Sequence, residues 1–130
     1  MEKTINILAV DDEESFTFFI KLNLQKETSY NFKVTTANSG AEGLKLARAV
    51  RPDLILLDIM MPGMSGTEVA EELLMDARTK NIPIIFLTAV VQKDEVQDQA
   101  GMMGGREFIA KPVGKEELIS RIESTLNLQQ

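Results

Sequence analysis

Short apolar runs alternate along this chain with longer segments whose apolar residues recur at helical spacing. The runs are 5–10, 32–36, 54–57, 84–87 and 107–110. The third, Leu54-Ile55-Leu56-Leu57, is apolar without alternation, as a parallel strand covered on both faces is. Between the runs, Phe16, Phe19, Ile20 and Leu24 predict a helix over 14–25. Ala41, Leu44, Ala47 and Val50 predict a second helix that stops before Pro52, because a residue preceding proline is pushed out of helical geometry. Val69, Ala70, Leu73 and Ala77 form the stripe of a third, and a weakly amphipathic fourth covers about 93–102. Leu118, Ile119, Ile122 and Leu126 share one side of the last. Five strand–helix units in 130 residues predict an α/β fold, a three-layer sandwich on a parallel sheet with five helices.

The connections agree with this reading. Asn38-Ser39-Gly40 follows the second and weakest strand, and Pro62, Gly63 and Gly66 lie in the loop before the third helix. Pro83 opens the fourth strand, where its missing N–H costs least. Polar residues then stand just past each core run. Asp11 and Asp12 follow the first, Asp58 the third, Thr88 the fourth and Lys111 the fifth. Parallel strands would gather all five at the carboxyl edge of the sheet, where open α/β sheets place their ligands.

Composition narrows the chemistry. The length suits one domain spanning 1–130. An apolar content of 44% and a charged content of 26% are those of an ordinary soluble globular protein. A net charge of −6 argues against non-specific nucleic-acid binding, which needs a basic face. The absence of cysteine excludes disulfides, thiolate nucleophiles and thiolate metal sites. The absence of histidine removes the usual general base, hydrolytic triads built on it, and imidazole zinc sites. Any metal is therefore expected on oxygen ligands. No signal peptide and no run long enough for a bilayer is visible, so a cytoplasmic protein is expected.

Taken singly, each edge residue has a bland explanation. An acidic pair after a strand is usually a helix cap, Asp58 a turn residue, Thr88 a cap and Lys111 a solvated lysine. Taken together, Asp11, Asp12 and Asp58 would repel one another unless a cation joined them, and hard oxygen ligands suit Mg²⁺. With no histidine, cysteine or convincing serine nucleophile, the Asp58 carboxylate is the natural group to attack phosphorus. Phosphoryl transfer asks mainly for alignment and charge neutralisation, which Mg²⁺, Lys111 and the Thr88 hydroxyl would supply.

The chain resembles the receiver domains of two-component response regulators. The matching stretches are ILAVDDEES at 7–15, PDLILLDIMMPGMSG at 52–66, PIIFLTA at 83–89 and GGREFIAKPV at 104–113. The resemblance covers nearly the whole chain, with its motifs in the family's order and spacing. It implies a CheY-like, flavodoxin-like strand order of 2-1-3-4-5, and Asp58 as phosphoacceptor. Asp12, Asp58 and the backbone carbonyl of Met60 would bind Mg²⁺, with Asp11 acting through a metal-bound water. Thr88 would be the switch hydroxyl, Phe108 the switch aromatic, and Lys111 the phosphoryl contact, with a cis Lys111-Pro112 bond. The implied donor is a sensor histidine kinase or histidine phosphotransfer protein, and the implied reader a downstream effector domain or protein. Direct contact with nucleic acid or membrane is not implied, whereas a phosphorylation-dependent homodimer is compatible with the resemblance. The implied role is signalling, with catalysis limited to the domain's own phosphorylation and slow dephosphorylation. The output face of the family comprises its fourth helix, fifth strand and fifth helix, here expected to include Val91, Gln97, Met102, Met103 and Glu107.

Some positions depart from the common pattern. Phe108 lacks the hydroxyl of a tyrosine, and Met60 and Val90, two residues after Asp58 and Thr88, are apolar. A haloacid-dehalogenase-type phosphohydrolase would need a second aspartate where Met60 stands. A flavodoxin-like nucleotide binder would need a glycine-rich phosphate loop after the first strand. A degenerate receiver used only for binding would not require the complete acceptor set found here.

Overall fold

The computed structural model describes residues 3–89, 102–103 and 106–128. Its elements are β1 (Thr4–Val10), α1 (Glu14–Gln25), β2 (Asn31–Ala37), α2 (Gly40–Val50), β3 (Leu54–Asp58), α3 (Gly66–Leu74), β4 (Ile84–Thr88), β5 (Met102–Met103), β6 (Arg106–Ala110) and α4 (Lys115–Leu126). The sheet order is β2-β1-β3-β4-β6-β5. Its first five strands are parallel and reproduce the expected 2-1-3-4-5 order. A two-residue antiparallel edge, β5, is added, with Met102 opposite Glu107 and Met103 opposite Arg106.

Side-chain alternation in the strands divides the interior into two layers. Ile5, Ile7, Leu54, Leu56, Ile85, Leu87 and Ile109 pack beneath α1 and α4, against Ile20, Leu24, Leu118 and Ile122. Leu8, Val10, Ile55, Leu57 and Phe86 face α2 and α3, against Leu44, Ala47, Val69 and Leu73. β3 is buried at every position, which explains its unalternating sequence.

Local chemistry sets the helix ends. Ser39 caps α2 by accepting from the Glu42 N–H, and α2 closes on Arg51 in the left-handed region before Pro52. Ser65 and Glu68 form a reciprocal capping box at α3. Two expectations need correction. The α3 stripe ends at Leu73, and Ala77 is exposed in a turn. There Asp76 accepts from the Arg78 backbone, and the buried Thr79 hydroxyl donates to the Leu73 carbonyl at 2.7 Å, so side chains take over where the helix ladder stops. Met102, expected at the end of a fourth helix, lies in β5, because its backbone pairs with the exposed edge of β6. Four helices are found among the described residues; the rest of the helix expected over 93–102, with Val90, Val91 and Gln97, lies outside them. No helix among the described residues is long and apolar enough to cross a membrane.

Gly66 governs how closely α3 approaches the end of β3. A Cβ there would stand 2.1 Å from the Asp58 carbonyl oxygen and 2.8 Å from the Ile59 Cα, both backbone atoms that cannot rotate away. The Gly66 N–H donates to the Ile59 carbonyl at 2.8 Å, so the contact is also a hydrogen bond. Gly66→Ala should therefore destabilise the fold by about 1–3 kcal/mol despite the better helix propensity of alanine. A urea-unfolding midpoint equal to or above that of the wild type would contradict the close approach.

Candidate functional site

The parallel register brings the strand ends level. Val10 pairs with Leu57, Asp58 with Leu87, and Thr88 with Ala110, so Asp11, Asp58, Thr88 and Lys111 converge at the carboxyl edge. Asp11, Asp58 and Thr88 are buried there, whereas Asp12 is exposed. Carboxylate oxygens of Asp11, Asp12 and Asp58 all lie within 4.8 Å of one another. Lys111 Nζ lies 2.6 Å from Asp11 Oδ2 and 3.5 Å from Asp58 Oδ1. The structure brings these five sequence-predicted residues together.

The surroundings hold Asp11 most firmly. Its backbone N–H donates to the Ala37 carbonyl at 3.0 Å, and its Oδ1 accepts from the Glu13 N–H at 2.9 Å. Asn38 Nδ2 donates to the Asp11 carbonyl at 2.8 Å, tying the loop after β2 to the site. The Asp58 carboxyl is pushed up to about 6, first by burial and then by the charge of Asp11, with Lys111 opposing both. Burial alone would lower the Lys111 ammonium. Its hydrogen bond and charge contact with Asp11, joined by Asp58 and Glu13, reverse that and leave it raised.

This donor set fits a hard divalent cation. The ligand atoms are carboxylate oxygens in reach of one another, one carboxylate is open to water, and the like-charge repulsion felt by Asp58 is what a cation relieves. Met60 follows Asp58 by two residues and is 66% exposed. Phe108, on β6, stacks on Phe86 with ring centroids 5.2 Å apart, in the layer beneath α2 and α3. Glu107 accepts from Arg121 Nη2 at 2.8 Å and from the Thr125 hydroxyl, which joins β6 to α4.

Three contacts at the site were missed in the sequence. Glu13 Oε1 stands 3.6 Å from Lys111 Nζ, and the Phe16 ring centroid 4.4 Å from it. Phe16 entered the sequence reading only as one apolar position of a helical stripe. Gly66 entered only as a loop residue, and no local signal distinguished it from Gly63.

Comparison with known proteins agrees with the geometry. The family model of the response regulator receiver domain matches residues 7–123. Protein PilH of Pseudomonas aeruginosa is 35% identical over 122 residues, covering 92% of this chain and 96% of that protein. The alkaline phosphatase synthesis transcriptional regulatory protein PhoP of Bacillus subtilis is 38% identical over 122 residues, covering 92% of this chain. The chain spans about half the length of several such relatives, 48% for PhoP and 51% for the transcriptional regulatory protein AfsQ1 of Streptomyces coelicolor. Among solved structures, the chemotaxis response regulator CheY4 of Vibrio cholerae superposes with a TM-score of 0.79 at 30% identity, covering 95% of this chain and 100% of that one.

The raised Asp58 has a consequence for stability. In the metal-free protein the folded state binds this proton more tightly than the unfolded chain does. The charged form therefore destabilises the fold above about pH 6, and the penalty fades as pH falls toward the ordinary value of 3.8. Asp58→Asn should stabilise the metal-free protein by about 1–2 kcal/mol at about pH 7.5, after allowance for solvent screening. Denaturant midpoints across pH should show this advantage shrinking below pH 6. A constant difference at every pH would contradict the cause assigned to it.

Proposed function

Because this chain belongs to the response regulator receiver domain family, we propose that its Asp58 accepts a phosphoryl group from a partner histidine. The domain serves two-component signalling, and the whole chain, 1–130, is read as one such domain. The observation that carries the assignment is the convergence of Asp11, Asp12 and Asp58 oxygens within 4.8 Å, with Lys111 Nζ 3.5 Å from Asp58 Oδ1.

An Asp58 carboxylate oxygen attacks phosphorus, the phosphorus–nitrogen bond of the donor breaks, and the leaving imidazole takes up a proton. Lys111 neutralises a phosphoryl oxygen and the Thr88 hydroxyl donates to another. Asp12, Asp58 and the backbone carbonyl of Met60 would hold Mg²⁺, with Asp11 contributing through a bound water. When present, the ion supplies positive charge to the carboxylates and phosphoryl oxygens. The donor is a sensor histidine kinase or histidine phosphotransfer protein, and the reader a downstream effector domain or protein or a second copy of the chain. The cytoplasm is the compartment that goes with this reading. The exposed Met60 side chain cannot orient a water by hydrogen bonding, which favours slow self-dephosphorylation.

Phosphorylation would then bias a switch. Thr88 moves toward the phosphoryl group, and Phe108 leaves its stack on Phe86 for the space vacated. Glu107, adjacent to Phe108 and bonded to Arg121 of α4, would carry the change to the output face.

Incubation with a small acyl phosphate and Mg²⁺ should add one phosphoryl group by intact mass, and none to Asp58→Ala. Asp12→Ala should lose Mg²⁺ affinity in a calorimetric titration, and labelling with it. Equal labelling of Asp58→Ala would sink the assignment. Thr88→Ala should still be phosphorylated, yet the amide shifts of Glu107, Phe108 and Arg121 should move far less than in the wild type. Shifts of equal size would place the coupling elsewhere.

A further inference from the structure

Carboxylates pull on the Lys111 ammonium from several directions. Asp11 Oδ2 lies at 2.6 Å, Asp58 Oδ1 at 3.5 Å and Glu13 Oε1 at 3.6 Å. A four-carbon stem ending in a compact, strongly hydrated charge has no fixed geometry of its own. What the carboxylates do not supply is an apolar wall, and Phe16 does. Its ring centroid is 4.4 Å from Lys111 Nζ, inside the range of an attractive cation–π contact.

The ring is itself held in place. Phe16 lies in the first turn of α1, where its N–H donates to the Glu13 carbonyl at 3.1 Å. It is partly buried against the layer beneath α1 and α4, and Phe19 stacks on it with centroids 6.1 Å apart and planes 24° from parallel. One short segment, 11–16, thus carries two of the acidic partners of Lys111 and the aromatic face beside it. The Lys111 side chain is only 14% exposed as a result.

We propose that Phe16 is a positioning residue for Lys111, its ring face holding the ammonium within reach of Asp58 and of an anionic group bound there. The proposal rests on the reading of Asp58 as phosphoryl acceptor. A leucine at position 16 would keep most of the apolar burial but has no ring quadrupole; a tyrosine keeps both. The pair of variants therefore separates positioning from packing.

The full chain and its Phe16→Leu and Phe16→Tyr variants are compared by two measurements. In nuclear magnetic resonance, the Lys111 ε-methylene protons should be shifted upfield by the ring in the wild type and in Phe16→Tyr, and not in Phe16→Leu. Affinity for beryllofluoride, a phosphoryl mimic, in saturating Mg²⁺ should fall about two- to five-fold in Phe16→Leu and recover in Phe16→Tyr. In a Lys111→Met background the leucine substitution should change nothing further. Unchanged affinity in Phe16→Leu, failure of tyrosine to restore it, or a loss that persists without Lys111 overturns the proposal. If the wild type binds no beryllofluoride, the phosphoacceptor reading fails, and the ring-current shift still decides the Phe16–Lys111 contact.

Discussion

Negative charge crowded at the carboxyl edge of the sheet is the constraint around which this molecule is arranged. Asp11 and Asp58 are buried beside one another, with the exposed Asp12 adjoining them and Lys111 as the cation that partly offsets them. Left to itself, such a cluster favours protonation or rearrangement, and the raised Asp58 carboxyl registers that tension. It persists because the Asp11 N–H donates to the Ala37 carbonyl, the Lys111 N–H donates to the Thr88 carbonyl, and Asp58 ends a fully buried strand. The cost of holding the charges together is met by two hydrophobic layers, and under the proposed function an affinity for cations and phosphoryl groups is what the arrangement would gain.

The scaffold reaches this through close contacts rather than through the carboxylates themselves. Parallel register levels the strand ends, and the bare backbone of Gly66 lets α3 close against the Asp58 carbonyl. On the same face of the sheet α2 also packs closely, since a Cβ on Gly43 would stand 2.9 Å from a Val10 methyl. Asn38 fastens the loop after β2 to the Asp11 carbonyl. A displacement at any of these points would shift a carboxylate whose value depends on its neighbours at hydrogen-bond range.

The same geometry offers a route outward. Thr88 and Phe86 share a face of β4, and Phe86 is paired with Phe108 in register and in stacking. Phe108 is followed by buried Ile109 and Ala110 and then by Lys111, so the aromatic of the proposed switch and the proposed phosphoryl contact belong to one short stretch of chain. Arg121 donates to both the Glu107 carboxylate and the Phe108 carbonyl, which ties β6 to α4. Coupling here would need a two-state element rather than distance alone, and the stacked aromatic pair is the candidate.

Much of this was legible before folding. Strand and helix positions followed from apolar periodicity, a local property, and the placement of Asp11, Asp12, Asp58, Thr88 and Lys111 followed from what stands immediately after each run. Asp11 and Asp12 are neighbours in sequence, yet only the packed structure decides that one is buried under Lys111 and the other faces water. Ala77 continued the helical stripe on paper, but the Thr79 hydroxyl and the Asp76 turn end it first. Met102 read as the end of a helix until the open edge of β6 offered it a ladder. Phe16 and Lys111 lie at opposite ends of the chain, and nothing in either neighbourhood announces the other. Local chemistry determines which elements form and which side chains sit at their ends. Desolvation and contacts between distant segments arise only on packing, and they decide which of those side chains act on one another.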